Sequence, residues 1–510
     1  MDSPPTFWFR LKTLLGLVCG LRRHDFRAAR SFASMQFSGR SPLVKFGKFL
    51  AWALRQMWCE IPETIRSSRF EKPISRVPIW LADGNPWANY PWNDNPQAQL
   101  PGSAHTVVIG AGLAGSALAY HWGKKADKDQ TMVLLDMADA ASGSAGRNEG
   151  LVVVGRYYHM VYSLVLPQLR RARRDLSDTD VDKLAHQFAA TYCKSCYRNA
   201  KMIHETIVQE GFECDYVCEG WVQAHDGGEQ EKLEDSVRMA IETGFTDWCK
   251  ITPEEVERRS GMKVRHNAGF SLAAASFHPA KWCWSLLERG MESGNILFYS
   301  RTKVGRVEDA GDEYLVHTAR NPIRAKYVVN ATESYTPLLH KQFHNVVQPT
   351  QTQAARVKGA PARMKPAVGI SNSRAFFTRH DDNVVLGTDA TRVPDQQAGR
   401  NQPSRFLTKY VIGEMVRAMG PGNYHVTNEW SGTVTYTPDQ YPIIGVFDGK
   451  RQYILGGMAG SGTAVSFNGA RCVVNRILGI TGEEDNYPEP YFSATRFLDP
   501  ANHRWPEIDG

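Results

Sequence analysis

The stretch from His105 to Trp122, HTVVIGAGLAGSALAYHW, constrains this chain more than any other. An apolar run ends at Gly110 and continues through Gly112 and Gly115 into a helical apolar pattern. Gly110 suits a tight turn, Gly112 lets backbone approach a pyrophosphate, and Gly115 lets helix and strand pack closely. The helix N-terminus, at Leu113 and Ala114, offers free N–H groups and a positive dipole to that anion. A second strand, TMVLLD, ends at Asp136, 21 residues after Gly115. An acid there accepts the hydroxyls of an adenosine ribose and repels a 2′-phosphate, which favours NAD or FAD over NADP. The fingerprint alone does not choose between those two.

The chain has 510 residues, of which 42% are hydrophobic and 22% charged, an ordinary globular composition. Its net charge of +7 is unevenly spread. Residues 1–100 hold fourteen Lys and Arg against seven Asp and Glu, a surplus equal to the net charge of the whole chain. The basic character therefore belongs to an N-terminal extension, which argues against a nucleic-acid partner at the active site. Nine scattered cysteines read as reduced thiols and an intracellular, cytoplasmic protein. Neither a signal peptide nor a membrane span is expected, because the apolar stretch TLLGLVCGL is short and basic residues follow it.

Residues 1–72 read as a basic helical extension. In LVKFGKFLAWALRQMW, Phe46, Phe49, Leu50, Ala53, Leu54 and Met57 fall at helical spacing on one face. Such a helix either docks on the protein's own surface or lies peripherally on a membrane. Residues 73–104 form a strap rich in proline and tryptophan, in which regular structure is not expected. Trp80, Trp87 and Trp92 suit packing against the body. A long helix is expected over 178–210, stopped by Gly211, with Leu184, Phe188, Tyr192, Cys196, Ile203 and Ile207 on one side. Strand-like runs then dominate to about residue 400. A last strand, RQYILGG, leads into a final helix. Cys193, Cys196, Cys214 and Cys218 read as apolar fillers, so no metal is expected.

Three further stretches carry a family resemblance: ASGSAGRNEGLV from Ala141, YVVNATESYTPLL from Tyr327, and WSGTVTYTPDQYPIIG…YILGGMAGSGTAVSFNGARCVVNRILG from Trp430 to Gly479. With the fingerprint, residues 105–480 resemble the D-amino-acid oxidase superfamily of FAD-dependent oxidoreductases. The pattern is nearest the branch of γ-glutamylputrescine oxidase, sarcosine oxidase and D-amino-acid dehydrogenase types. The resemblance implies an α/β fold in which a Rossmann-like FAD-binding domain (roughly 105–180, 280–345 and 425–480) is intertwined with an antiparallel-sheet α+β substrate domain (181–279 and 346–424). Residues 481–510 remain as a C-terminal tail.

The resemblance also implies the cofactor contacts. The loop with Arg147, Asn148, Gly150 and Leu151 would lie along the flavin. Ala331 and Thr332 would near the dinucleotide, beside Glu333 where the family often has Gly or Asn. Gly457, Gly460, Ser461, Gly462 and Thr463 would form a second anion site at the pyrimidine edge. The FAD is expected to be non-covalent. Gly432 stands where sarcosine oxidase types carry the anchoring cysteine, and the loop Ala141–Leu151 has no histidine, although His159 follows it.

Implied chemistry is oxidation of a C–N bond of an amine or amino acid. Hydride passes to flavin N5, and the imine hydrolyses. Dioxygen or a membrane quinone would accept the electrons. Tyr436 and Arg379 are the catalytic candidates, the latter for a substrate carboxylate, with Arg356 and Arg374 as further arginines. His278 reads as the start of a helix. Two other readings stay open: a nicotinamide-dependent dehydrogenase, and a non-catalytic FAD-stabilised scaffold recruiting a partner through its extension.

Overall fold

The computed structural model describes residues 4–21, 26, 41–82, 84–88, 95, 98–154, 158–224, 230–244, 247–372, 375–393, 399 and 401–508. Arg374 and Trp92 lie outside them. Two large sheets organise the body. In the first, five strands run parallel, in the order Gln452–Gly456, Ile323–Asn330, Ser103–Ile109, Met132–Leu135, Ile296–Tyr299. Val107, Val108, Val133, Leu134 and Leu135 are buried, as a parallel strand covered on both faces requires. An antiparallel ribbon, Val304–Asp309 with Tyr314–Thr318, extends this sheet along the first half of Ile323–Asn330.

Helices Leu113–Lys125, Pro279–Met291 and Gly462–Leu478 pack together over the parallel sheet. Gly123 and Gly290 allow the first two to touch. A Cβ on Gly123 would sit 2.6 Å from the Gly290 carbonyl oxygen. The long helix runs Asp178–Glu210. Ser177 caps its start by accepting from Asp180 N–H, and Gly211 ends it at φ +66°. All six residues of its expected stripe are buried.

The second sheet has nine strands, in the order 68–75, 424–436, 348–358, 383–393, 376–380, 369–371, 221–224, 268–271, 249–251. It is antiparallel except where 68–75 meets 424–436 and where 369–371 meets 221–224.

Several expectations are corrected. Residues 68–75 are a strand in this sheet, so the N-terminal extension is not helical throughout. Helices Gln230–Glu242, Pro253–Ser260 and Arg405–Met419 interrupt the stretch expected to be strand-rich or lie just beyond it. Their start signals are local: Thr252 and Ser404 accept from the N–H three residues on. ECDYVCEGW is irregular apart from one bridge at Val217, and the strand begins at Trp221. The strap contains a short helix, Ile79–Ala82, whose Trp80 is buried.

Candidate functional site

A cavity of about 1040 Å³ lies between the two sheets. Each of the five parallel strands delivers its C-terminal end to the lining, at Gly110, Asp136, Thr302, Ala331 and Met458. That edge is where open α/β sheets bind ligands.

The glycine turn is built around contacts no side chain would permit. Gly110 has φ +107°, and a Cβ there would stand 2.5 Å from the Ala331 carbonyl oxygen. A Cβ on Gly115 would stand 1.7 Å from the Gly110 carbonyl oxygen. Gly112 is different. Its nearest neighbour would be Ala145 Cβ at 3.8 Å, so its open side belongs to the cavity. Helix Leu113–Lys125 starts at Gly112 without a side-chain cap, and helix Gly462–Leu478 starts at Ser461 without one. Both starts line the same cavity. Uncapped N–H groups at a buried helix end call for a ligand, and an anion fits them best.

Asp136 is half-buried at the cavity wall. Its Oδ2 accepts from Ala111 N–H at 2.7 Å and its Oδ1 from Ala138 N–H at 2.8 Å. Burial raises its pKa to about 6, against the lowering effect of those two N–H groups. Each oxygen retains a lone pair for a ribose hydroxyl.

The loop after the second strand folds on its own side chains. Arg147 Nε donates to the Ser142 carbonyl and Nη1 to that of Ser431, at 3.0 and 3.1 Å. Asn148 Nδ2 donates to the Ser144 and Ala145 carbonyls, while Oδ1 accepts from Gly150 N–H. Trp80 Nε1 donates to the Asn148 carbonyl at 2.7 Å, which ties the strap to this loop. Arg147, Asn148 and Leu151 line the cavity. Gly150 faces Phe277 and the Trp80 ring instead.

At the other wall, Ala331, Thr332, Gly460, Ser461, Gly462 and Thr463 all reach the lining. Gly457 does not; a Cβ there would meet Thr437 at 2.8 Å. The neighbouring N–H, Met458, donates to both carboxylate oxygens of Glu333, at 3.2 and 3.3 Å. Glu333 has a left-handed φ of +49° and stands half-buried at the cavity wall, and desolvation of its carboxyl raises its pKa to about 7. Sequence reasoning passed over this residue. The signal was an acid standing where related loops carry Gly or Asn.

Tyr436 ends the strand Tyr424–Tyr436 and lines the cavity, its hydroxyl 3.5 Å from where a Cβ on Gly460 would be. Arg379 lies elsewhere. It sits in the expected hairpin, Phe376–His380 with Asn383–Val393, but its Nε donates to the Asp381 carbonyl at 2.7 Å and its Nη1 to that of Met364. Arg356 donates to Asn383 in the sheet. His278 caps helix Pro279–Met291 by accepting from Lys281 N–H. His159 faces Asp235, away from the lining, and Gly432 brings no thiol to it. Among the described residues no three His, Cys, Asp or Glu side chains could hold a metal ion. Cys193 and Cys196 are buried in the long helix.

The wall of the cavity facing the glycine turns was not legible beforehand. Trp221, Gln223, Gln351, Asn372 and Phe376 come from the second sheet and its turns, with Glu149 opposite. The Glu149 carboxylate lies against the backbone of Gly387, where a Cβ would be 1.7 Å from Oε1.

An acid at the end of the second parallel strand and two uncapped helix starts facing one cavity define a dinucleotide-dependent oxidoreductase fold. A separate sheet roofs the site. The profile of the FAD dependent oxidoreductase (DAO) family matches residues 105–476, and the chain belongs to that family. Human mitochondrial dimethylglycine dehydrogenase is 21% identical over 394 residues; the match covers 70% of this chain but only 40% of that protein's length. Among solved structures, L-proline dehydrogenase from P. horikoshii superposes with a TM-score of 0.62 at 18% identity, over 78% of this chain and 98% of that one. Glycine oxidase from Geobacillus kaustophilus gives 0.60 at 15% identity, over 77% and 98%.

The family is FAD-dependent, so the nicotinamide alternative falls away. The residues present fit FAD: the open side of Gly112 and the two uncapped helix starts suit a pyrophosphate and a flavin edge, and Asp136 suits a ribose. Among the described residues no helix is long and apolar enough to cross a membrane.

Proposed function

We propose that this protein oxidises a C–N bond of a small amine or amino acid with non-covalently bound FAD. Bound FAD supplies the hydride acceptor, at N5. The substrate loses a hydride from carbon and a proton from nitrogen, and water converts the resulting imine to a carbonyl compound and an amine. The observation that carries this reading is the cavity itself, in which two uncapped helix starts face a second sheet lined with amides.

This chain's residues act mainly by placement. Leu113, Ala114, Gly462 and Thr463 present backbone N–H groups to anionic parts of the cofactor. Asp136 orients the ribose. Tyr436 stands over the glycine turn, where its ring excludes water from the reacting face. Gln223, Gln351 and Asn372 supply hydrogen bonds to substrate, and Glu149 attracts a protonated amine as it enters. Arg147 is the one guanidinium among the described lining residues, and its Nε and Nη1 already serve backbone carbonyls. That favours simple or N-substituted amines over substrates needing a bidentate carboxylate clamp.

The final acceptor is dioxygen or a quinone. Peripheral membrane contact through residues 1–72 fits the quinone. Incubation with a panel of secondary amines, polyamines and amino acids, with the carbonyl product trapped by a hydrazine, tests the reaction. One class should give trapped product. Hydrogen peroxide formed in equal amount identifies dioxygen; product formed only with added quinone identifies the other acceptor. No trapped product from any class, in a protein that retains FAD, would favour the scaffold reading.

A further inference from the structure

Two N-terminal helices, Phe7–Gly20 and Pro42–Arg55, are packed by one face, the first on residues 56–67 and the second on the buried Tyr410, and leave another apolar face in solvent. Leu17 is buried beneath the first. Phe7 packs edge-on to Trp58 at 5.4 Å, and Arg10 donates to the Trp58 carbonyl. The second helix turns Phe49, Trp52 and Ala53 inward; Phe49 and Trp52 pack on the buried Tyr410. The stripe expected from sequence is thus split in two, because Phe46, Leu50 and Leu54 point outward.

The outward residues repeat at helical spacing. On the second helix they are Leu43, Phe46, Gly47, Leu50 and Leu54, with Leu43 81% and Phe46 61% exposed. On the first they are Trp8, Leu15 and Val18, with Trp8 75% exposed. Each helix already has one packed face, so these stripes are not a core awaiting closure. The charge on both helices has one sign: Arg10, Lys12, Lys45, Lys48 and Arg55, with no Asp or Glu in either. Arg55 pairs with Glu60 just beyond its helix.

We propose that this unit seats the protein on an anionic lipid surface, with both helices lying in the headgroup plane. The chemistry selects that occupant. Exposed Trp, Phe and Leu suit the boundary between headgroup and acyl chain, and flanking Lys and Arg suit anionic lipid. Each helix has 14 residues, a length of about 21 Å, which is short of the ~30 Å hydrocarbon core and so favours lying flat over spanning. The inference rests on the N-terminal helices alone and is independent of the reaction in the cavity.

Co-sedimentation of the full-length holoprotein with phosphatidylcholine–phosphatidylserine vesicles tests it, with pure phosphatidylcholine as comparison. The wild type should pellet with the anionic vesicles, less so with the neutral ones, and release at high salt. Phe46→Glu combined with Leu50→Glu should abolish pelleting while flavin absorbance and melting temperature are retained. Lys12→Gln and Lys48→Gln should each lower the partition coefficient about fivefold, the equivalent of ~1 kcal/mol per basic residue. Wild type left in the supernatant with anionic vesicles would overturn the proposal. So would undiminished pelleting of the double glutamate variant, or a wild-type dimer that this variant renders monomeric in sedimentation velocity, which would make the face a contact between copies.

Discussion

Glu333 shows how one side chain can couple the site to pH. Its carboxyl is held between the end of strand Ile323–Asn330 and the glycine turn, and desolvation there pushes its pKa up to about 7, above the ordinary carboxylate range. Between the unfolded value and about pH 7 the folded state holds a proton that the unfolded chain has lost. Stability contributed by the neutral carboxyl is therefore full at low pH and declines as pH rises through that window. Wild type should lose up to about 3 kcal/mol from this group between pH 4.5 and 8, and Glu333→Gln should flatten that part of the profile. Denaturant unfolding of both proteins across the range checks it.

Two glycines of the fingerprint separate folding from binding. Gly115→Ala forces a Cβ into the Gly110 carbonyl and should destabilise by about 1–3 kcal/mol or more, read by thermal melting. Gly112→Val meets only open cavity, so it should fold and melt as the wild-type apoprotein does, yet purify without flavin. At this scale the sequence was legible where backbone geometry alone decides, as at Gly110 and Gly115. It was not legible where orientation decides. Arg379 lies in the expected hairpin, but its guanidinium folds back onto carbonyls of its own turn and the adjoining loop, which no spacing rule reports.

Among elements, the C-terminal segment after helix Gly462–Leu478 is part of the core. Tyr487 and Phe492 are buried, and Arg496 donates from Nε to Asp439 at 2.8 Å, with both side chains nearly inaccessible. Asp439 also accepts from Tyr441 N–H, so this ion pair fixes the turn that follows Tyr436. Arg496→Met strands a buried carboxylate and should cost about 3–5 kcal/mol, whereas Arg496→Met with Asp439→Asn should recover much of that loss. A double-mutant cycle by chemical denaturation measures the difference. Reading the segment as a tail missed this because its helices, Glu489–Phe492 and Thr495–Leu498, are single turns without periodicity. The long helix Asp178–Glu210, by contrast, announced its stop and its buried face through Gly211 and the stripe before it.

Across the whole molecule, only the first unit of the parallel sheet could be anticipated from the residues themselves, because Ser103–Ile109, Leu113–Lys125 and Met132–Leu135 follow one another in sequence; its other strands pair across more than 120 residues. The nine-stranded sheet could be anticipated only through resemblance. Its edge pairs residues 68–75 with 424–436, contacts more than 340 residues apart that leave no local trace. For the same reason Trp221, Gln351 and Asn372 were missed: they meet only after that sheet has formed over the glycine turns. The resulting arrangement sets the glycine turns of one sheet against Trp221, Gln351 and Asn372 of the other across one cavity, which we propose holds the dinucleotide on the first side and the substrate on the second. The most direct test of that arrangement is the anaerobic absorbance spectrum of the purified protein, before and after addition of amines and amino acids. The account predicts twin flavin bands that bleach with one class of amine. A protein that shows no flavin bands, even after incubation with FAD, would contradict it.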